Sequence, residues 1–73
     1  MKRDTEESRI IKQLRAQTGL SQQKFGMLFK ISAINIANWE QGTTKPPEYV
    51  IYMLQKLIEL DPTIPKKGES NDN

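Results

Sequence analysis

Leu20 to Gly42, LSQQKFGMLFKISAINIANWEQG, carries the pattern of two short helices joined by a tight turn. Ser21 is a good N-cap, its hydroxyl suited to accept from an unpaired N–H of the first turn, and helix-tolerant Gln22, Gln23 and Lys24 follow it. Phe25, Leu28 and Phe29 recur at helical spacing and predict one buried stripe. Gly26 leaves no side chain where another helix can cross closely. Ser32 is a second N-cap candidate and restarts the pattern. Beyond it Ile36 and Trp39, three apart, predict an inner face, which leaves Ala33, Ile34, Asn35 and Asn38 nearer the outer one. The polar run Gln41, Gly42, Thr43, Thr44 ends the second helix.

Upstream, Asp4 followed three residues later by Glu7 resembles a capping box, with acidic side chains placed to suit the helix dipole. The first helix is predicted over Thr5 to Gln17, burying Ile10, Ile11 and Leu14, with Gly19 as a left-handed terminal residue. Residues 1–4, including Met1, Lys2 and Arg3, are read as a flexible basic arm. Downstream, Pro46 and Pro47 in GTTKPPE block a continuing helix and impose an extended approach to the next. A fourth helix is predicted over Glu48 to Leu60, ending before Asp61 and Pro62. Residues 61–73 have the polar, Pro- and Gly-containing composition of a disordered tail. The fold class is therefore all-α, a compact four-helix domain over residues 5–60.

Composition narrows the chemistry. Seventy-three residues make one domain at most, of a size at which burial is marginal and oligomerisation often helps. The absence of cysteine and histidine excludes disulfides, the usual zinc ligand sets and nucleophilic catalysis by Cys and His. Asp, Glu and Lys are present, but nothing groups them into a catalytic constellation, so no enzyme, metal or cofactor is expected. No apolar run of about eighteen residues exists and the charged N-terminus lacks a signal's apolar core, so a cytoplasmic protein without a membrane partner is expected. The net charge of +2 is only mildly basic, so where the charges sit matters more than their sum.

The ordered combination of LRAQTGL, LSQ, a small residue five positions after Ser21, WEQG and a proline soon after resembles the helix-turn-helix family of phage repressors (Cro/C1 type) and xenobiotic-response-element regulators. The resemblance covers roughly Ile10 to Leu60. It implies that residues 21–41 form the DNA-reading unit, with the second helix entering the major groove of double-stranded DNA. Gln22 would contact phosphate and brace that helix. Ser32, Ala33, Ile34, Asn35 and Asn38 would read base edges or flanking phosphates, and Thr43, Thr44 and Lys45 would hold phosphates in the following loop. Asparagine pairs bidentately with adenine, and Ala33 and Ile34 suit thymine methyl groups, so an A·T-leaning half-site is expected. Arg15 and Glu40 match a structural ion pair of the family. Ser32 also has a simple capping role, and Trp39, which could stack a base, fits the core better.

The chain departs from the family pattern in three places. Lys30 stands where the turn usually has glycine, so it must take a left-handed conformation, at about 1 kcal/mol, or reshape the turn. Met27 and Leu28 stand where the family is commonly polar and would enlarge the core or form a partner-binding patch. The chain stops after the fourth helix, leaving an inducer pocket no obvious home.

The fourth helix is apolar around more than one face. One side must pack on the first three helices, and a second copy of the chain is the natural cover for the other. Tyr49, Tyr52, Met53, Lys56, Leu57 and Leu60 are the candidate dimerisation residues; a wide core contact with exposed tyrosine edges is the alternative. A two-fold homodimer would present two recognition helices to successive major grooves about 34 Å apart, hence an inverted-repeat operator. A dimeric repressor of its own or a neighbouring promoter is the expected function. The rival expectation is an antitoxin-type or adaptor module whose main partner is another protein, such as a toxin, with autoregulatory DNA binding secondary.

Overall fold

Caps define where each helix begins and ends. In the computed structural model, which describes residues 5–67, α1 (Glu6–Thr18) starts at Thr5, whose hydroxyl accepts from the Ser8 N–H at 3.0 Å. The Ser8 hydroxyl oxygen accepts in turn from the Thr5 N–H at 3.0 Å. This reciprocal pair replaces the expected start at Asp4 and Glu7, because the short side chain of buried Ser8, at the third helical position, reaches back to the Thr5 N–H while Glu7 turns to Lys45. Gly19 ends α1 with φ 73°, its N–H reaching the Arg15 and Ala16 carbonyls.

Helix α2 (Gln22–Phe29) is capped by Ser21, which accepts from the Lys24 N–H at 3.1 Å. It ends at Lys30, which adopts φ 62°, so the lysine accepts the left-handed conformation. Helix α3 (Ala33–Gln41) starts at Ser32, whose hydroxyl accepts from the Ile34 N–H at 3.2 Å, and stops at left-handed Gly42. Pro47, with extended backbone, leads into α4 (Glu48–Leu60). No strand occurs among the described residues.

Ile11, Leu14, Phe25, Ile36, Trp39, Val50, Leu54, Ile58 and Ile64 form the core. The backbone of α1 approaches all three other helices, α3 packs on both α1 and α2, and α4 is approached by α1 alone. Phe25 and Phe29 meet with ring centroids 4.8 Å apart at a tilt of 58°, within the range over which aromatic rings attract. Leu28 departs from the expected buried stripe and is exposed, because the α2 core axis runs through the four-residue pair Phe25 and Phe29 and turns Leu28 outward.

The expected disordered tail is corrected over its first seven residues. Asp61 forms a local turn, its carboxylate accepting from the Thr63 N–H at 2.9 Å and the Thr63 hydroxyl at 2.7 Å. That turn drops Ile64 into the core, and the Lys67 N–H donates to the Gln17 carbonyl at 2.6 Å. Residues 61–67 thus form a strap across the end of α1. The arm at 1–4 and the remaining tail at 68–73 lie outside the described residues. Ile64→Ala is expected to destabilise the domain by about 2 kcal/mol, the low end for a buried isoleucine because a strap can settle into the gap. Thermal or urea denaturation measures this, and an unchanged midpoint would contradict the strap's packing.

Candidate nucleic-acid interface

Side chains from α1 and α2 converge on one carboxylate of α3. Arg15 of α1 donates through Nε to Glu40 Oε2 at 2.6 Å and through a terminal nitrogen to Oε1 at 3.0 Å, the two-pronged geometry in which a guanidinium holds a carboxylate best. Its other terminal nitrogen donates to the Leu20 carbonyl at 3.0 Å. Gln22 of α2 donates its side-chain N–H to Glu40 Oε1 at 3.0 Å. A carboxylate only accepts, so the Gln22 amide must turn its NH2 toward Glu40. The end of α3 is therefore tied to α1, to the α1–α2 turn and to α2.

Glu40 has a side-chain exposure of 7%. Burial pushes its carboxyl up, but the hydrogen bonds from Arg15 and Gln22 and the charges of Arg15 and Lys12 outweigh burial and hold it below the ordinary glutamate value. The hydrogen bond to Glu40 raises Arg15 in turn, against its own desolvation. Glu40 is an acidic residue at the end of α3 that presents no free negative charge outward.

Helix α3 buries Ile36, Trp39 and Glu40 and turns the other way with Ile34 and Asn35, while Ala33 and Asn38 are half-buried. Ile34 is 72% exposed. The Ser32 hydroxyl oxygen is occupied by the cap, which leaves its O–H free to donate. Thr43, Thr44 and Lys45 are exposed in the loop after α3. The Thr43 N–H turns back to the Asn38 carbonyl at 2.9 Å and the Thr44 N–H lies 3.5 Å from it, so the exposed threonine hydroxyls are the better placed donors to an anion. Lys45 stands 3.9 Å from Glu7 in a solvent-exposed ion pair of the kind worth about 0–1 kcal/mol, readily exchanged for another anion.

The candidate dimerisation residues divide into two groups. Tyr49, Met53, Leu57 and Leu60 follow one another at four-, four- and three-residue steps and make one exposed stripe along α4. Tyr52 and Lys56 are turned toward α1, where they line a cleft with Ile10, Gln13 and Gln17. The Lys56 ammonium lies 5.6 Å from the centre of the Tyr52 ring, a cation–π contact that occupies both. Met27 and Leu28 are exposed on α2, and Met27 lines a shallow cleft with Gln23, Lys30 and Ala33 at the α2–α3 turn.

Sequence reading missed three participants. Lys12 adds charge beside Glu40, Ser8 closes the first cap, and Lys67 lies over the α1–α2 turn. Only Ser8 left a local signal, since Thr-x-x-Ser is a weak form of the capping box. Among the described residues no group of acidic, histidine or cysteine side chains is placed to hold a metal, and no helix is long and apolar enough to cross a membrane. The chain matches no model of a known protein family, no curated protein and no solved structure.

Proposed function

We propose that the protein is a dimeric, sequence-specific regulator of transcription that binds double-stranded DNA through a helix-turn-helix unit, acting as a repressor of its own or a neighbouring promoter. The observation that carries this reading is the outward face of α3. A short helix fixed at its end by a buried ion pair presents Ile34 and Asn35, with Ala33 and Asn38 beside them, and its one carboxylate is turned inward and neutralised. Such a face suits the major groove, where asparagine reads adenine and small apolar groups meet thymine methyls. Ser32, Thr43, Thr44 and Lys45 supply phosphate contacts on either side, while Gln22 acts chiefly through Glu40. The α4 stripe of Tyr49, Met53, Leu57 and Leu60 joins two copies about a two-fold axis, so the operator is an inverted repeat. No cofactor is required.

Selection of duplexes from a random pool by the full chain, followed by anisotropy titration of the winner at several salt concentrations, tests the reading. An inverted repeat with A·T-rich half-sites should emerge, with affinity falling steeply as salt rises. Asn38→Ala should lose about 1–3 kcal/mol of discrimination at one base pair, while Lys45→Ala should weaken binding to all sequences alike. Equal affinity for a scrambled duplex would overturn the function, and a single unrepeated site would overturn the dimer. The exposure of Met27, 68%, together with that of Leu28 favours one second reading, an antitoxin-type adaptor that grips a protein partner through this patch. Failure to enrich any duplex transfers the weight to it.

A further inference from the structure

Helix α3 has no lysine or arginine between Ser32 and Glu40, so any grip on a phosphate backbone must come from its flanks. One flank is the α3–α4 loop, where Lys45 sits beside Glu7 in the first turns of α1. The strap after α4 reaches the other end of the same helix. Its Lys67 N–H is bonded to the Gln17 carbonyl, and the Lys67 Cβ lies 3.4 Å from where a side chain on Gly19 would begin. Gly19 leads directly into Ser21 and Gln22, the start of α2.

We propose that Lys66 and Lys67 form a second phosphate contact, gripping the DNA strand opposite the one held by the α3–α4 loop. The proposal rests on the DNA-binding reading above. Ten residues of α1 separate Glu7 from Gln17, about 15 Å at 1.5 Å per residue. That span is comparable to the roughly 12 Å width of the major groove, whose two edges are the two phosphate backbones. Helix α3 packs on α1, so the two cationic points lie at the two ends of the helix that supports the reading face. Neither Lys66 nor Lys67 is held in an ion pair among the described residues. Among the described residues the opposing charges at this end are Asp61, whose Oδ1 accepts from the Thr63 N–H and hydroxyl, and Glu59, which lies with Gln17 in the cleft between α1 and α4. Gly19 takes the left-handed φ of 73° that ends α1, and the strap at Lys67 lies in van der Waals reach of it.

The test compares the full chain with Lys66→Ala/Lys67→Ala and Lys66→Arg/Lys67→Arg on the selected duplex. The slope of log affinity against log salt should fall in magnitude by about four for the alanine pair on the two-fold duplex, since the dimer carries four of these lysines and each phosphate contact contributes roughly 0.9. The arginine pair should keep the parental slope, and the preference over a scrambled duplex should be the same in all three. The backbone bond from residue 67 to Gln17 survives both changes, so an unchanged melting temperature separates loss of charge from loss of the strap. An unchanged slope in the alanine pair, with parental DNA binding intact, overturns this inference alone. Absence of binding by the parental chain overturns it together with the function on which it rests.

Discussion

Gly26→Val is expected to abolish folding, with loss of the cooperative thermal transition and of most helical signal in circular dichroism. Gly26 sits where α2 is crossed by the turn leading into α3. A Cβ there would stand 2.3 Å from the Ile31 carbonyl oxygen, 3.2 Å from Ile36 Cδ1 and 3.4 Å from the Ala33 N–H nitrogen. Two of these three neighbours are backbone, and the Gly26 carbonyl itself accepts from the Ile31 N–H at 2.8 Å, so the turn cannot move without giving up that bond. Alanine is the milder case: overpacking costs about 1–3 kcal/mol, offset by roughly 1 kcal/mol of improved helix propensity. Valine adds two branches to the same contact and has no helix-propensity gain of that size. Retention of a sharp transition close to the parental temperature in Gly26→Val would show that α2 and α3 are not held as closely as the distances say.

That crossing was legible in the sequence because its cause is local. A glycine among Phe25, Phe29 and Ile36 has few reasons to be there except close approach, and Ser21, Ser32, Gly19 and Gly42 mark helix ends through their own hydroxyls or left-handed backbones. The four helices were readable for the same reason. Thr5 and Ser8 share their spacing with Asp4 and Glu7, and only the burial of Ser8 distinguishes the two pairs. Leu28 escapes the spacing rule because residues three and four apart both neighbour Phe25 on the helix surface, and spacing alone does not say which of the two another helix covers. The strap was not legible at all. Averaged over PTIPKKGESNDN the segment reads as solvated, and one isoleucine held by an aspartate turn is enough to order its first part. Contacts such as Lys67 with Gln17 join residues fifty apart and leave no periodic trace. Of the candidate site, the inward turn of Ile36 and Trp39 could be read from spacing, whereas the occupation of the Thr43 and Thr44 N–H groups depends on how Gly42 folds the loop back.

Arg15→Met is expected to destabilise the domain by about 3–5 kcal/mol, the cost of leaving one member of a buried ion pair without its partner. The carboxylate of Glu40 would retain only the Gln22 N–H in a site almost closed to water, and would take up a proton at higher pH than before. A domain of this size has a total stability near the lower end of about 5–15 kcal/mol, so the variant should be substantially unfolded at ambient temperature. Arg15→Met/Glu40→Leu should recover much of the loss, because a packed apolar pair carries no desolvation penalty; the double-mutant cycle by urea denaturation then measures the coupling directly. The same pair sets the acid response. Glu40 has its folded-state pKa depressed, so its contribution is fully present above the ordinary glutamate value of 4.5 and is lost as pH falls from there through the lower native value. The parental chain should therefore lose stability on acidification in that window, and the apolar double variant should lose less. A shallow loss in Arg15→Met, or an acid response identical in the double variant, would mean that the pair orients α3 without stabilising it. If the pair stabilises as expected, the asymmetry has a functional consequence. On the proposed reading, in which α3 enters the groove, the helix is fixed by a charge cluster shut away from solvent, so salt should weaken DNA binding through Lys45 and the strap while leaving the orientation of α3 almost untouched.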